Sequence, residues 1–285
     1  MISLKYIKAG TKKYWRKLKK YIILHYRIST SRWRKLPDFI IIGTQKGGTT
    51  SLFYYLYQHP ELSFSHKKEI YFFNLYFEKG LAWYKSHFPF RTNTKITGEA
   101  TPSYMFHPKA AGRIKSISPN VKLIVLLRDP IDRAYSGYAM GLRRKTDTAN
   151  TFEIAIEREL KFLENQSNTD EYTLEKHELY YLERGKYYSQ LLPWIEHFPR
   201  EQLLFIKSEN FFQNPENELT KVYKHLGISM VLPKDLSKKN AGKYNKISPG
   251  TVHRLEAYFR EENEKLTDLL GKEFIWHTSS SLPQD

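Results

Sequence analysis

The chain has 285 residues, of which 40% are apolar, 15% aromatic and 27% charged, and it contains no cysteine. That length and composition fit one large α/β domain with a packed core and exclude a disordered body. The missing cysteines exclude disulfides, a thiol nucleophile, iron–sulfur clusters and thiolate zinc sites, and they fit a reducing compartment.

The net charge is +16, yet residues 1–36 hold twelve Lys or Arg and no Asp or Glu. Most of the excess therefore sits in a basic amphipathic leader, and the folded domain is predicted over residues 37–285. In the leader the bases alternate with Tyr6, Tyr14, Trp15, Tyr21, Ile22, Ile23, Leu24 and Trp33. Its longest apolar run, Tyr21 to Leu24, is too short to span a bilayer, and it lacks a signal-peptide pattern. Two readings stand side by side: an arm for an anionic membrane surface or polyanionic substrate, and a solvated basic helix packed on the body. No nucleic-acid module follows, so nucleic acid is not an expected partner.

Asp38 to Gly43 is a β-branched run ending in glycine and predicts a buried strand. Thr44 to Thr49 predicts a glycine-containing turn, and Thr50 to Gln58 a helix stopped by His59-Pro60. In the segment from Gly43 to Ser51, glycines allow successive N–H groups to point at one anion, and the helix behind adds its positive end. Lys46 contributes a full charge, and Thr49, Thr50 and Ser51 contribute hydroxyls, so a phosphate is the natural guest. Gly43 and Gly48 have the spacing of an ATP- or GTP-binding P-loop, but Thr49 stands where that loop has lysine, and the lysine sits inside the turn at Lys46.

Further along, Lys68-Glu69 precedes Ile70, Tyr71, Phe72 and Phe73, apolar neighbours expected to strip water from the carboxylate. Val121 to Leu127 predicts a second buried strand, running into Arg128-Asp129-Pro130. Asp129 suits an N-cap and Pro130 the first helical position. Arg128 offers a planar fork for two phosphate oxygens. Ser136 lies two turns into the helix, and Arg133 reads as a salt-bridge or helix-surface residue. Residues 143–185 are polar and predict helices and loops above the sheet. Lys186 to Phe198 places Tyr187, Leu191, Trp194, Ile195 and Phe198 on one helical face as core residues. Leu203 to Ile206 predicts a third strand, with helices over Pro215 to Leu226 and Thr251 to Leu270. Strands alternating with helices imply a mostly parallel sheet covered on both faces. The ten histidines are scattered and no acidic cluster has metal spacing, so no metal is expected.

These segments together resemble the sulfotransferases that use 3′-phosphoadenosine 5′-phosphosulfate (PAPS), most nearly the heparan sulfate branch and its bacterial relatives. The resemblance covers roughly residues 37–278 and implies a P-loop-like three-layer α/β fold. It rests on Gln45-Lys-Gly-Gly-Thr-Thr-Ser51, Lys68-Glu-Ile-Tyr-Phe-Phe73, Leu126-Leu-Arg-Asp-Pro130 with Ser136, and Asn240-Ala-Gly-Lys243. It implies that Lys46, Gly47, Gly48, Thr49, Thr50 and Ser51 hold the 5′-phosphosulfate, with Lys46 meeting the charge on the leaving phosphate. It further implies Glu69 as general base, Arg128 and Ser136 on the 3′-phosphate, and Gly242 and Lys243 in a loop that closes over the cofactor, where Tyr244 departs from the animal pattern. Glu99 matches a substrate-side strand and reads equally as a group orienting the acceptor or as a buried structural carboxylate; several heparan sulfate enzymes follow it with lysine, and Ala100 stands here. The implied acceptor is a glycan, glycolipid or small molecule. The animal enzymes of this branch carry a disulfide that this chain cannot form, which points to a cytoplasmic relative, with the leader able to reach a membrane surface. Two competing readings are a nucleoside-triphosphate kinase or NTPase, with Leu123 to Asp129 as its magnesium strand, and a non-catalytic polyanion- or membrane-binding module.

Overall fold

A computed structural model describes residues 4–92, 94–164, 180–239 and 247–276, with side chains from residue 14 onward. The strands are β1 (Phe39–Gly43), β2 (Leu62–Phe64), β3 (Ile96–Ala100), β4 (Lys122–Leu127) and β5 (Leu203–Lys207). The helices are α1 (Leu4–Ser29), α2 (Thr49–Tyr57), α3 (Phe72–Leu75), α4 (Gly80–Lys85), α5 (Ala110–Ile117), α6 (Pro130–Arg144), α7 (Phe152–Glu164), α8 (Tyr187–His197), α9 (Ser208–Gln213), α10 (Pro215–Leu226) and α11 (Pro249–Leu270). All five strands are parallel, in the order β2-β3-β1-β4-β5.

The period-2 alternation of the strands divides the core in two. Ile40, Ile42, Leu123, Val125 and Leu127 face a layer with Phe72, Tyr84, Trp194 and Leu266. Phe39, Ile41, Ile124, Leu126 and Ile206 face the other, with Leu52, Leu56, Phe211, Val222 and Leu226. Each such side chain contributes about 1.5–3 kcal/mol by leaving water. The three-layer α/β architecture is therefore as expected. A third apolar cluster joins Ile131 and Tyr138 of α6 to Phe152 and Ile156 of α7 and to Leu255 and Phe259 of α11.

Along α8 the expected face is buried at Tyr187, Leu191 and Trp194, and Phe198 just beyond is buried too, but Ile195 is 36% exposed. It lies a further 100° round the helix from Trp194, outside the stripe.

The topology places the site. From β1 the chain first builds β2 and β3 on one side, then crosses to β4 and β5 on the other. Parallel sheets open a crevice beyond their carboxyl ends where the direction of winding reverses. Here β1 pairs with β4, Ile41 opposite Ile124 and Gly43 opposite Val125. The turn after β1 and the arginine after β4, far apart in sequence, thus leave adjacent strand ends about 5 Å apart.

Candidate active site

The turn between β1 and α2 is held from behind. Thr44 N–H donates to Leu126 O at 2.6 Å, Ser208 Oγ to Gly47 O at 2.5 Å, and Arg133 Nε to Gln45 O at 3.2 Å. With these carbonyls engaged, the first amides of α2 have no intrahelical acceptor and remain for an outside anion. Gly47 is obligatory: a Cβ there would lie 2.8 Å from Thr44 Cγ2 and 2.9 Å from Leu126 O. Gly48 caps α2 at φ +94°, a left-handed conformation that favours glycine.

Lys46 sits in the turn, itself at positive φ. Burial, and then the charges of Arg143, Arg128, Arg133 and Arg144, pull its ammonium down to about 8. A lysine so disfavoured as a cation, surrounded by four arginines, marks a pocket of positive potential suited to a polyanion. The cradle and the charges together fit a phosphorylated ligand.

Thr49 and Ser51 are buried in the first turn of α2. Ser51 Oγ accepts the N–H of Lys239 at 3.0 Å, and Tyr55 of the same helix donates its hydroxyl to Leu236 O at 2.6 Å. These bonds stitch the segment before residue 240 onto α2. Gly242 and Lys243 lie outside the described residues. Arg128 pairs with Asp132 at 3.3 Å, and Lys238 lies within its electrostatic reach. Asp129 caps α6 as expected, accepting the N–H groups of Ile131 and Asp132. Ser136 is almost fully buried on α6.

Glu69 stands beside the turn. Lys68 Nζ bridges Thr50 Oγ1 at 2.8 Å and Glu69 Oε1 at 3.3 Å, while the Tyr71 hydroxyl donates to Glu69 Oε2. Glu69 and Tyr71 both have φ +59°, which turns the two side chains toward each other. The expectation that apolar neighbours dehydrate Glu69 is corrected: Ile70, Phe72 and Phe73 face the core, and the Glu69 side chain keeps 30% of its exposure among polar partners. Its two oxygens accept one bond each from these groups, so lone pairs stay free for a hydroxyl.

A cleft of about 240 Å³ is bordered by Tyr71, the hydroxyl partner of this carboxylate. Gln45 of the turn, Tyr71, Tyr76, Arg133, Arg144 and Tyr181 line it. Among the described residues no group of three or more His, Asp or Glu side chains could hold a metal ion.

A family model described as the sulfotransferase domain matches residues 36–265. The chain belongs to the sulfotransferase family. It is 31% identical over 313 residues to the membrane-associated sulfotransferase kil1 of Dictyostelium discoideum, covering 85% of this chain and 66% of that protein. It is also 31% identical over 272 residues to human heparan sulfate glucosamine 3-O-sulfotransferase 3B1, covering 87% of this chain and 67% of that one. The chain thus spans about two thirds of the length of such relatives. A sulfotransferase from Alicyclobacillus acidocaldarius has the same fold, with a TM-score of 0.70 at 27% identity over 83% of this chain and 96% of that chain.

Within this sulfotransferase domain one cation differs from expectation. Arg133 is not a surface residue. Its guanidinium is buried, donates to Gln45 O and, at 2.7 Å, to Tyr181 O, and is pulled down to about 10 by burial and then by Arg184. Space for it comes from Gly137 one turn on, where a Cβ would lie 3.0 Å from Arg133 Nη2. That glycine is the sequence signal for an inward arginine.

Glu99 is fully buried and accepts the hydroxyls of Tyr84, Tyr104 and Thr101, the last two at 2.7 and 2.8 Å. Burial pushes its carboxyl up, against the pull of those three donors. Sealed in the core, it braces β3 against the 84–104 layer. Glu99→Ala strands three buried hydroxyls and is expected to cost about 3–5 kcal/mol in a urea titration, against about 1 kcal/mol for Glu99→Gln.

No motif marks Arg143 and Arg144 in the last turn of α6. Folding brings both within electrostatic reach of Lys46 and places Arg144 in the cleft wall. Ala100, where some relatives place lysine, is buried at the end of β3. The cations that line the cleft are Arg133 and Arg144.

Proposed function

We propose that the chain transfers a sulfuryl group from PAPS to a hydroxyl or amine of a carbohydrate or glycoconjugate. The observation that carries this reading is the pairing of β1 with β4, which sets a phosphate-cradling turn and Arg128 side by side at the carboxyl edge of the sheet. A nucleotide with phosphate at both its 5′ and 3′ positions offers one anion to each.

PAPS supplies the sulfuryl group. The loop amides and Lys46 hold its 5′ end, Arg128 and Ser136 hold the 3′ end, and Gly242 and Lys243 belong to the loop that the family likeness assigns to covering the nucleotide. Lys46 keeps its proton and faces the oxygen on which charge gathers as the phosphate leaves. Glu69 takes the proton of the acceptor hydroxyl, while Tyr71 and Lys68 fix the carboxylate's direction. Arg133 keeps the turn in place through Gln45. The carbohydrate acceptor is supported by the ring-lined cleft with its arginine, and by the glucosamine named for the human relative. The cysteine-free sequence accords with a cytoplasmic setting.

Equilibrium binding tests this reading. 3′-Phosphoadenosine 5′-phosphate is expected to bind at least about tenfold tighter than ADP or ATP–Mg, because only it brings a 3′-phosphate for Arg128 to hold by charge-assisted hydrogen bonds. Equal or tighter binding of ATP–Mg would point to a kinase or NTPase and end the proposal.

A further inference from the structure

Among the described residues the leader contributes no side chain to the cleft, yet it forms the longest helix there. From Tyr14 onward, Tyr14, Leu18, Tyr21, Ile22, His25 and Tyr26 recur at helical intervals and draw one stripe along α1, with Trp15 at its edge. Lys17 and Lys19 fall on either side of the stripe, and Arg16 and Lys20 opposite it. Trp15 is 65% exposed, Tyr14 64%, Tyr21 60% and Ile22 57%, so the stripe is not packed on the body. The helix is fastened at its C-terminal end, where Arg27 donates to the carbonyls of Ser86 and Phe88 and Arg34 to that of Phe88.

The chemistry narrows what can cover this face. A polyanion would be met by the bases alone and would leave the rings in water. A second copy would bring another twelve like charges into contact, with no acid in either leader to offset them. A bilayer surface with anionic lipid satisfies both halves. Rings and aliphatic carbons enter the boundary between headgroups and acyl chains, and the flanking bases extend to the phosphates. Among the described residues no helix is long and apolar enough to cross the membrane, which agrees with a helix lying in the surface plane. We propose that α1 is an interfacial helix that seats this protein on anionic lipid bilayers.

The test is sedimentation of the full chain with vesicles of phosphatidylcholine alone or mixed with phosphatidylserine. The chain pellets with the mixed vesicles, and less so as salt rises. The double substitution Trp15→Glu with Ile22→Glu lowers that partitioning by about tenfold or more. Lys17→Gln with Lys19→Gln lowers it by about 25-fold, since each base near the surface is worth roughly a fivefold gain. Brominated lipid quenches part of the tryptophan emission, and Trp15→Phe removes that quenched part while binding persists. The variants keep the unfolding midpoint and nucleotide affinity of the parent chain, which separates this result from the fate of the transfer reading. Failure to pellet with the mixed vesicles overturns the proposal. So does equal pelleting of the glutamate variant, or self-association through α1 without vesicle binding.

Discussion

Lys46→Ala lowers kcat/KM for sulfuryl transfer by about 10²–10³-fold, the usual loss when one aimed donor to a developing oxyanion is removed. The turn itself should survive, because its shape depends on Gly47, Gly48 and the bonds from Ser208 and Arg133 to its carbonyls. The same residue sets an alkaline limit. Its ammonium ionises at about 8 in the free protein, under burial and four arginines. Only the protonated form offers a charge, so kcat/KM falls as pH rises through that value. A bound anionic donor favours the cation and shifts the limb of kcat to higher pH. Steady-state rates from pH 6 to 10 with labelled donor would measure both limbs. A Lys46→Ala enzyme with full turnover, or a parent enzyme with an unchanged kcat/KM at pH 9, would remove Lys46 from its role.

Glu69→Gln lowers kcat by about 10²–10⁴-fold, the contribution of a positioned base. The amide keeps the shape and can still meet Tyr71 and Lys68, but it cannot take a proton. Affinity for 3′-phosphoadenosine 5′-phosphate should stay within about twofold, because Glu69 is tied to the loop through Lys68 and Thr50 and the amide can keep that link. Calorimetry beside a transfer assay separates the two effects. A parallel loss of nucleotide binding and rate would make Glu69 a brace of the phosphate turn rather than the base.

Much of the fold was legible because its signals are local. The runs Phe39–Gly43, Lys122–Leu127 and Leu203–Lys207 are β-branched and aliphatic, and each was bounded by its turn chemistry to within a residue or two. Asp129-Pro130 announced α6, since a capping carboxylate and a proline at the first position favour helix in any context. The short strand β2 and the strand β3 have weaker patterns, and Ile96–Ala100 was recognisable mainly through its family likeness. Two errors share one cause. Helical periodicity tells which residues share a face, but not whether the neighbouring elements cover it. Ile195 therefore came out exposed, and Arg133 went inward where Gly137 leaves room.

By itself the sequence determined the chemistry available: a glycine turn holding Lys46, an arginine and a serine around a capped helix, a lysine–glutamate pair, and a basic arm without acids. It did so because turn geometry, capping and charge depend on residues close together in the chain. Only the tertiary structure decided that β1 lies against β4, that Lys68 ties Glu69 to the phosphate turn, and that Arg143 and Arg144 add their field to Lys46. Those juxtapositions come from strand pairing and core burial between segments tens of residues apart, where many partners are sterically possible and the packing of the whole domain selects one.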